Sequence, residues 1–163
     1  MMRRGSILIL CVGNPLRGDD AFGFLVYKEL QMRGVPAIYA GSVPENFVGK
    51  IGKLKPAIVI VVDALLCRGS GVKVFRLSET GEALPATTHA LSLSILFGAV
   101  GFDLSRVYIV GMPVENLDLG KPPSERVVTT ARTVAEALSK LARLSSPTEL
   151  EFIDESFFIS RNV

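Results

Sequence analysis

The stretch Ile7-Leu8-Ile9-Leu10-Cys11-Val12-Gly13-Asn14-Pro15-Leu16-Arg17-Gly18-Asp19-Asp20 decides how the rest of the chain reads. Its first six residues are apolar without polar alternation and are closed by Gly13-Asn14-Pro15, the pattern of a strand buried on both faces. After the loop, Asp19 offers a helix cap and Asp20 falls in the first turn. Phe22, Leu25, Val26, Leu30 and Met32 then recur near helical spacing until Gly34 and Pro36 stop the pattern. A central strand, a polar loop and a helix follow one another.

Working outward, residues 35–40 form a second short strand, and Phe47, Ile51 and Leu54 predict a helix over residues 44–54, weakened by Gly49 and Gly52. The run Ala57-Ile58-Val59-Ile60-Val61-Val62 is a second central strand that stops on Asp63. Residues 72–77 alternate apolar and polar after Gly69-Ser70-Gly71 and suit a strand nearer an edge. Residues 91–100 fit both periods, and the following Gly101 favours helix. Residues 106–111 read as a further strand, and Val127, Ala131, Val134, Leu138 and Leu141 mark a last helix after Pro122-Pro123-Ser124. Strands alternating with helices predict a three-layer α/β/α fold with a mostly parallel or mixed central sheet. One domain is expected over residues 1–145. Residues 146–163 form a tail in which Phe152, Ile153, Phe157, Phe158 and Ile159 interleave with Glu149, Glu151, Asp154 and Glu155.

Composition narrows the function. In 163 residues, 48% are apolar and the formal charge is only +2, with Lys and Arg scattered, so a phosphate-neutralising surface for nucleic acid is not expected. The longest apolar runs are far below the roughly 18 residues needed to cross a bilayer, and the Arg3-Arg4 start lacks a small-residue cleavage site. Two cysteines, Cys11 and Cys67, make no disulfide framework, which points to a reducing cytoplasm.

In an open α/β sheet, ligands settle outside the carboxyl ends of the strands. Asp19 and Asp20 follow the first strand, Asp63 ends the long apolar run, and His89, the only histidine, precedes a helix in Thr87-Thr88-His89. Two carboxylates and one imidazole meeting on one rim would form an O, O, N set able to contact a divalent ion with coordination positions left open. Each also has a plain structural reading: a helix cap for Asp19 or Asp20, a strand terminator for Asp63, a packed histidine for His89. The first loop lacks the Lys and Ser/Thr of a phosphate-cradling loop and the spacing of a dinucleotide fingerprint, and no Gly-x-Ser-x-Gly elbow occurs.

The segment Cys11 to Gly23, reading CVGNPLRGDDAFG, resembles the opening motif of the hydrogenase maturation endopeptidases. Gly41-Ser42-Val43-Pro44-Glu45-Asn46, Val61-Val62-Asp63-Ala64 and Thr87-Thr88-His89 resemble the form serving formate-linked or energy-converting [NiFe] hydrogenases. The resemblance runs from about residue 6 to residue 145 and implies a phosphorylase/hydrolase-like fold. It implies removal of a C-terminal extension from the [NiFe] hydrogenase large-subunit precursor after nickel insertion. It carries metal contact onto Asp20, Asp63 and His89, with the nickel supplied by the substrate and held weakly or not at all by the free protein. Asp20 or Asp19 would position the attacking water. A monomer is expected. Two other functions share these residues: a self-contained zinc-type metallohydrolase, and a non-catalytic hydrogenase assembly or metal-binding factor.

Overall fold

A computed structural model describes residues 6–79 and 89–143. The chain runs β1 (Ile7–Cys11), α1 (Phe22–Met32), β2 (Ile38–Tyr39), α2 (Glu45–Leu54), β3 (Ile58–Leu65), β4 (Lys73–Arg76), α3 (Ala90–Ala99), β5 (Val107–Pro113) and α4 (Glu125–Ala142). The five strands lie in the order β2-β1-β3-β5-β4, all parallel except β4, which pairs antiparallel with β5 at the edge.

Period-two geometry sends alternate side chains of each strand to opposite faces, and both faces are covered. Ile9, Cys11, Ile60, Val62, Val110 and Met112 pack beneath α1 and α4, where Phe22, Val26, Leu30, Val134 and Leu138 meet them. Leu8, Leu10, Val59, Val61 and Ile109 pack on the other side against Val48, Ile51, Leu93 and Phe97 of α2 and α3. This explains why β1 and β3 read as unbroken apolar runs, and it realises the expected three layers.

Several boundaries differ from the sequence reading. β2 is confined to Ile38–Tyr39 because β1 offers it only Leu10 and Cys11 as partners. β3 does not stop on Asp63 but continues through Ala64 and Leu65, paired with Gly111, Met112 and Pro113 of β5. Asp20 lies in a 3-10 turn, Gly18–Ala21, ahead of α1, and Asp19 caps no part of that helix. The expected boundary at residue 145, the 146–163 tail and Thr87-Thr88 lie outside the described residues. Among the described residues, no helix is long and apolar enough to cross a membrane.

The first turn of α1 lies hard against the exit of β1. A Cβ placed on Gly23 would collide with the carbonyl group of Val12, so only glycine permits this approach, which carries the loop between them over the sheet edge. Gly23→Ala is expected to lower unfolding free energy by about 3 kcal/mol, as overpacking against rigid backbone does, measured as a shift in the urea midpoint.

Cys11 is fully buried beneath α1, and burial pushes its thiol far up from the ordinary range, while Cys67 is half-buried; neither is in a disulfide. Thiolate is the reactive form. Iodoacetamide is therefore expected to label Cys67 in the native chain and Cys11 only after unfolding, as read by mass spectrometry of the peptides.

Candidate active site

β1 turns to β2 on one side and pairs with β3 on the other, so the strand order switches at the carboxyl ends of β1 and β3. Helices and loops diverge there and leave a crevice. The loops are laced together by main-chain bonds: Val12 N–H donates to Val62 C=O at 2.9 Å, and Gly13 N–H to Gly41 C=O at 2.8 Å. The Tyr39 hydroxyl donates to Gly13 C=O at 2.7 Å.

Asp63 sits inside β3 with 0% of its surface exposed. A carboxylate is costly at such a position unless its oxygens are engaged. Oδ1 accepts from the Ala64 N–H at 2.9 Å, and Oδ2 lies 2.9 Å from His89 Nδ1. His89 is the residue ahead of α3, and its carbonyl accepts from Leu93 N–H and the Ser92 hydroxyl, both at 2.9 Å. Those bonds anchor its backbone while the ring reaches Asp63. Nδ1 engaged with a carboxylate leaves Nε2 as the nitrogen that can carry a lone pair.

The pair perturbs both groups. Burial pushes the Asp63 carboxyl above the usual carboxylate range, against the pull of His89 and the Ala64 amide. Burial pushes His89 down, but the hydrogen bond to Asp63 and the charges of Asp63, Asp20 and Glu45 outweigh it and hold the ring above the ordinary histidine value. Negative charge around an imidazole favours its cationic form, and would equally favour an incoming metal ion.

Asp20 reaches the crevice from the opposite side. Its Oδ2 accepts the Asn14 N–H at 3.0 Å, a bond made possible by the Asn14-to-Arg17 turn, in which Asn14 Oδ1 accepts from Leu16 N–H. Its Oδ1 is buried and has no hydrogen-bond partner among the described residues. A cavity of about 290 Å³ opens here, lined by Asn14, Arg17, Asp20, Ser42, His89 and Leu117.

The structure thus brings Asp20 and His89 to one cavity and places Asp63 behind His89, away from the cavity wall. Asp19, 4% exposed, points elsewhere: its Oδ1 accepts the N–H of Ser124, the cap residue of α4, at 2.7 Å. Among the described residues, no three His, Cys, Asp or Glu side chains are grouped so as to hold a metal ion by themselves. Arg17 and Leu117 complete the cavity wall. Leu117 lies in a loop 100 residues from Arg17, joined to it by an Arg17 Nε–H bond to Leu117 C=O at 3.3 Å, and no local pattern announces such a pairing. Asn14 and Ser42 lie within the motifs that carried the resemblance.

No protein-family model matches the chain. The hydrogenase 3 maturation protease of Escherichia coli (strain K12) is 26% identical over 136 residues, which cover 80% of this chain and 87% of that protein. The crystal structure of the [NiFe] hydrogenase maturation protease HycI from Thermococcus kodakarensis KOD1 is 30% identical, with a TM-score of 0.68 over 86% of this chain and 94% of that one. A crystal structure of hydrogenase 3 maturation protease, 23% identical, shares the fold with a TM-score of 0.71, covering 86% of this chain and 96% of that one. With the sheet, the crevice at its switch point and these likenesses together, the chain belongs to the hydrogenase maturation proteases and is a peptide-bond hydrolase.

Proposed function

We propose that this protein removes the C-terminal extension from a [NiFe] hydrogenase large-subunit precursor, and that it does so after reading the nickel held in that substrate. The observation that carries this reading is Asp20 Oδ1, a buried carboxylate oxygen without a hydrogen-bond partner among the described residues, on a side chain that lines the same cavity as His89. Leaving such an oxygen unsatisfied costs about 1–3 kcal/mol or more for a charged group. A ligand that coordinates or donates to this oxygen would offset that cost.

One carboxylate and one imidazole are too few for a tightly held resident ion, so the ion arrives with ligands of its own on the substrate. Asp20 and His89 add oxygen and nitrogen contacts to it, a donor set compatible with nickel. Asp63 fixes the ring of His89 and keeps Nε2 available. Asp20 is also the carboxylate placed to orient a water toward the scissile carbonyl. The water oxygen bonds to the carbonyl carbon, its proton passes to the carboxylate, and the C–N bond breaks as the departing amine takes up a proton. Asp19, engaged with Ser124, is the poorer choice for that task. A precursor without nickel lacks the anchor, and each 1.4 kcal/mol of lost binding is about a tenfold weaker interaction. We place this reaction in the cytoplasm, carried out by a monomer.

Purified protein incubated with a nickel-loaded large-subunit precursor is expected to shorten it at the C-terminus, read by mass, and to leave a nickel-free precursor intact. Asp20→Asn and His89→Ala should each slow processing by at least about 100-fold, the scale of a lost acid–base or metal-contacting group. Asp63→Asn should slow it through a misoriented His89. Full-rate processing by all three variants, or equal cleavage of nickel-free precursor, would refute this assignment.

A further inference from the structure

Among the described residues, Leu119 is 74% exposed and Leu16 66%, and they lie on two loops that also supply Leu117 and Arg17 to the cavity wall. Val43 and Leu66, also exposed, sit on loops at the same edge of the sheet. Apolar surface collected beside a cavity is the mark of a binding surface, whereas scattered single residues carry no such meaning.

The two loops are built as one body. Gly120 N–H donates to Leu16 C=O at 2.7 Å, Gly18 N–H to Lys121 C=O at 3.0 Å, and Asp19 N–H to Asn116 C=O at 2.7 Å. Gly18 has φ +54°, and a Cβ there would stand 2.7 Å from the Asn116 carbonyl oxygen, so glycine is needed for the loops to close. The Asp19 carboxylate adds the bond to Ser124 N–H. A rigid lip results, with its main-chain groups spent between the two loops and its leucine side chains turned to solvent.

Resting on the peptidase reading above, we infer that the Leu16–Leu119 lip is the docking surface for an extended apolar segment of the substrate polypeptide beside its scissile bond. Continuity with the cavity selects this occupant. Arg17 follows Leu16, and Leu117 lies two residues before Leu119; both line the cavity that holds Asp20 and His89. A chain whose peptide bond lies in the cavity can therefore continue directly onto the lip. An extended segment buries apolar side chains against Leu16 and Leu119. Its carbonyl groups meet the guanidinium of Arg17, of whose donors Nε–H is held by Leu117 C=O. The lip contributes binding, and the chemistry stays with the cavity.

The test is steady-state processing of nickel-loaded precursor by Leu16→Ser, Leu119→Ser and the double variant, with Leu→Met variants as shape-tolerant controls and thermal melting to verify the fold. Each Ser variant should raise KM about tenfold with kcat within about twofold, the double variant should raise it further, and the Met variants should restore it, as for anchors at the centre of an interface. Unchanged KM in correctly folded Ser variants overturns the inference. A fall in KM also overturns it, since it would mark the lip as covered by residues 146–163 or by a second copy. Should the wild-type protein cleave nothing, the peptidase reading itself fails, and direct precursor binding decides the lip: weaker binding by the double variant sustains it, equal or absent binding ends it.

Discussion

A carboxylate buried inside the central parallel sheet is the constraint on which the site depends. β3 is buried along its whole length, and Asp63 is its one charged residue. Desolvation there would favour a neutral, apolar substitute, and the Ala64 amide and the His89 ring are among the partners that offset it. The same bonds fix His89 at the head of α3 and give the crevice a preset imidazole. Stability and site geometry are thus tied to one pair, and altering either member removes a buried charge-assisted hydrogen bond from the other.

The opposite wall is assembled by a different device. A tight turn from Asn14 to Arg17 directs one Asp20 oxygen to a backbone amide and leaves the other without a hydrogen-bond partner among the described residues. The neighbouring Asp19 is turned away to hold the α4 terminus. Two adjacent aspartates therefore have separate duties, one closing the loop on the body of the protein and the other facing the cavity. The small cavity is ringed by residues from both halves of the chain, Asn14, Arg17, Asp20 and Ser42 from one and His89 and Leu117 from the other.

Membership in the hydrogenase maturation proteases accounts for the economy of the site. The cavity is lined by Asn14, Arg17, Asp20, Ser42 and His89 together with Leu117, and one carboxylate with one imidazole is the donor set that the proposed recognition of a substrate-borne metal requires. The exposed Leu16 and Leu119 beside the cavity would, on the proposal made above, extend recognition to the polypeptide. Both sources of binding energy would act at one edge of the sheet, where the strand order reverses.

Much of this was legible from residue order. The unbroken apolar runs of β1 and β3 could only belong to strands covered on both faces, and the alternation with helices dictated parallel pairing. Asp20 and Asp63 stood out because carboxylates came at or after the carboxyl ends of such runs, where ligands gather, and His89 as the one imidazole, set just ahead of a helix. Local pattern could not show that β3 passes beyond Asp63, because the extension exists through pairing with residues 111–113 of β5. Nor could it separate Asp19 from Asp20, whose partners lie 105 residues away in one case and 6 in the other. Sequence alone determined the layers and the candidate chemistry, since periodicity and residue type are local properties. Tertiary structure decided which carboxylate faces the cavity, which stands behind His89 and which loops meet at the mouth, because each is a contact between segments that share no local signal.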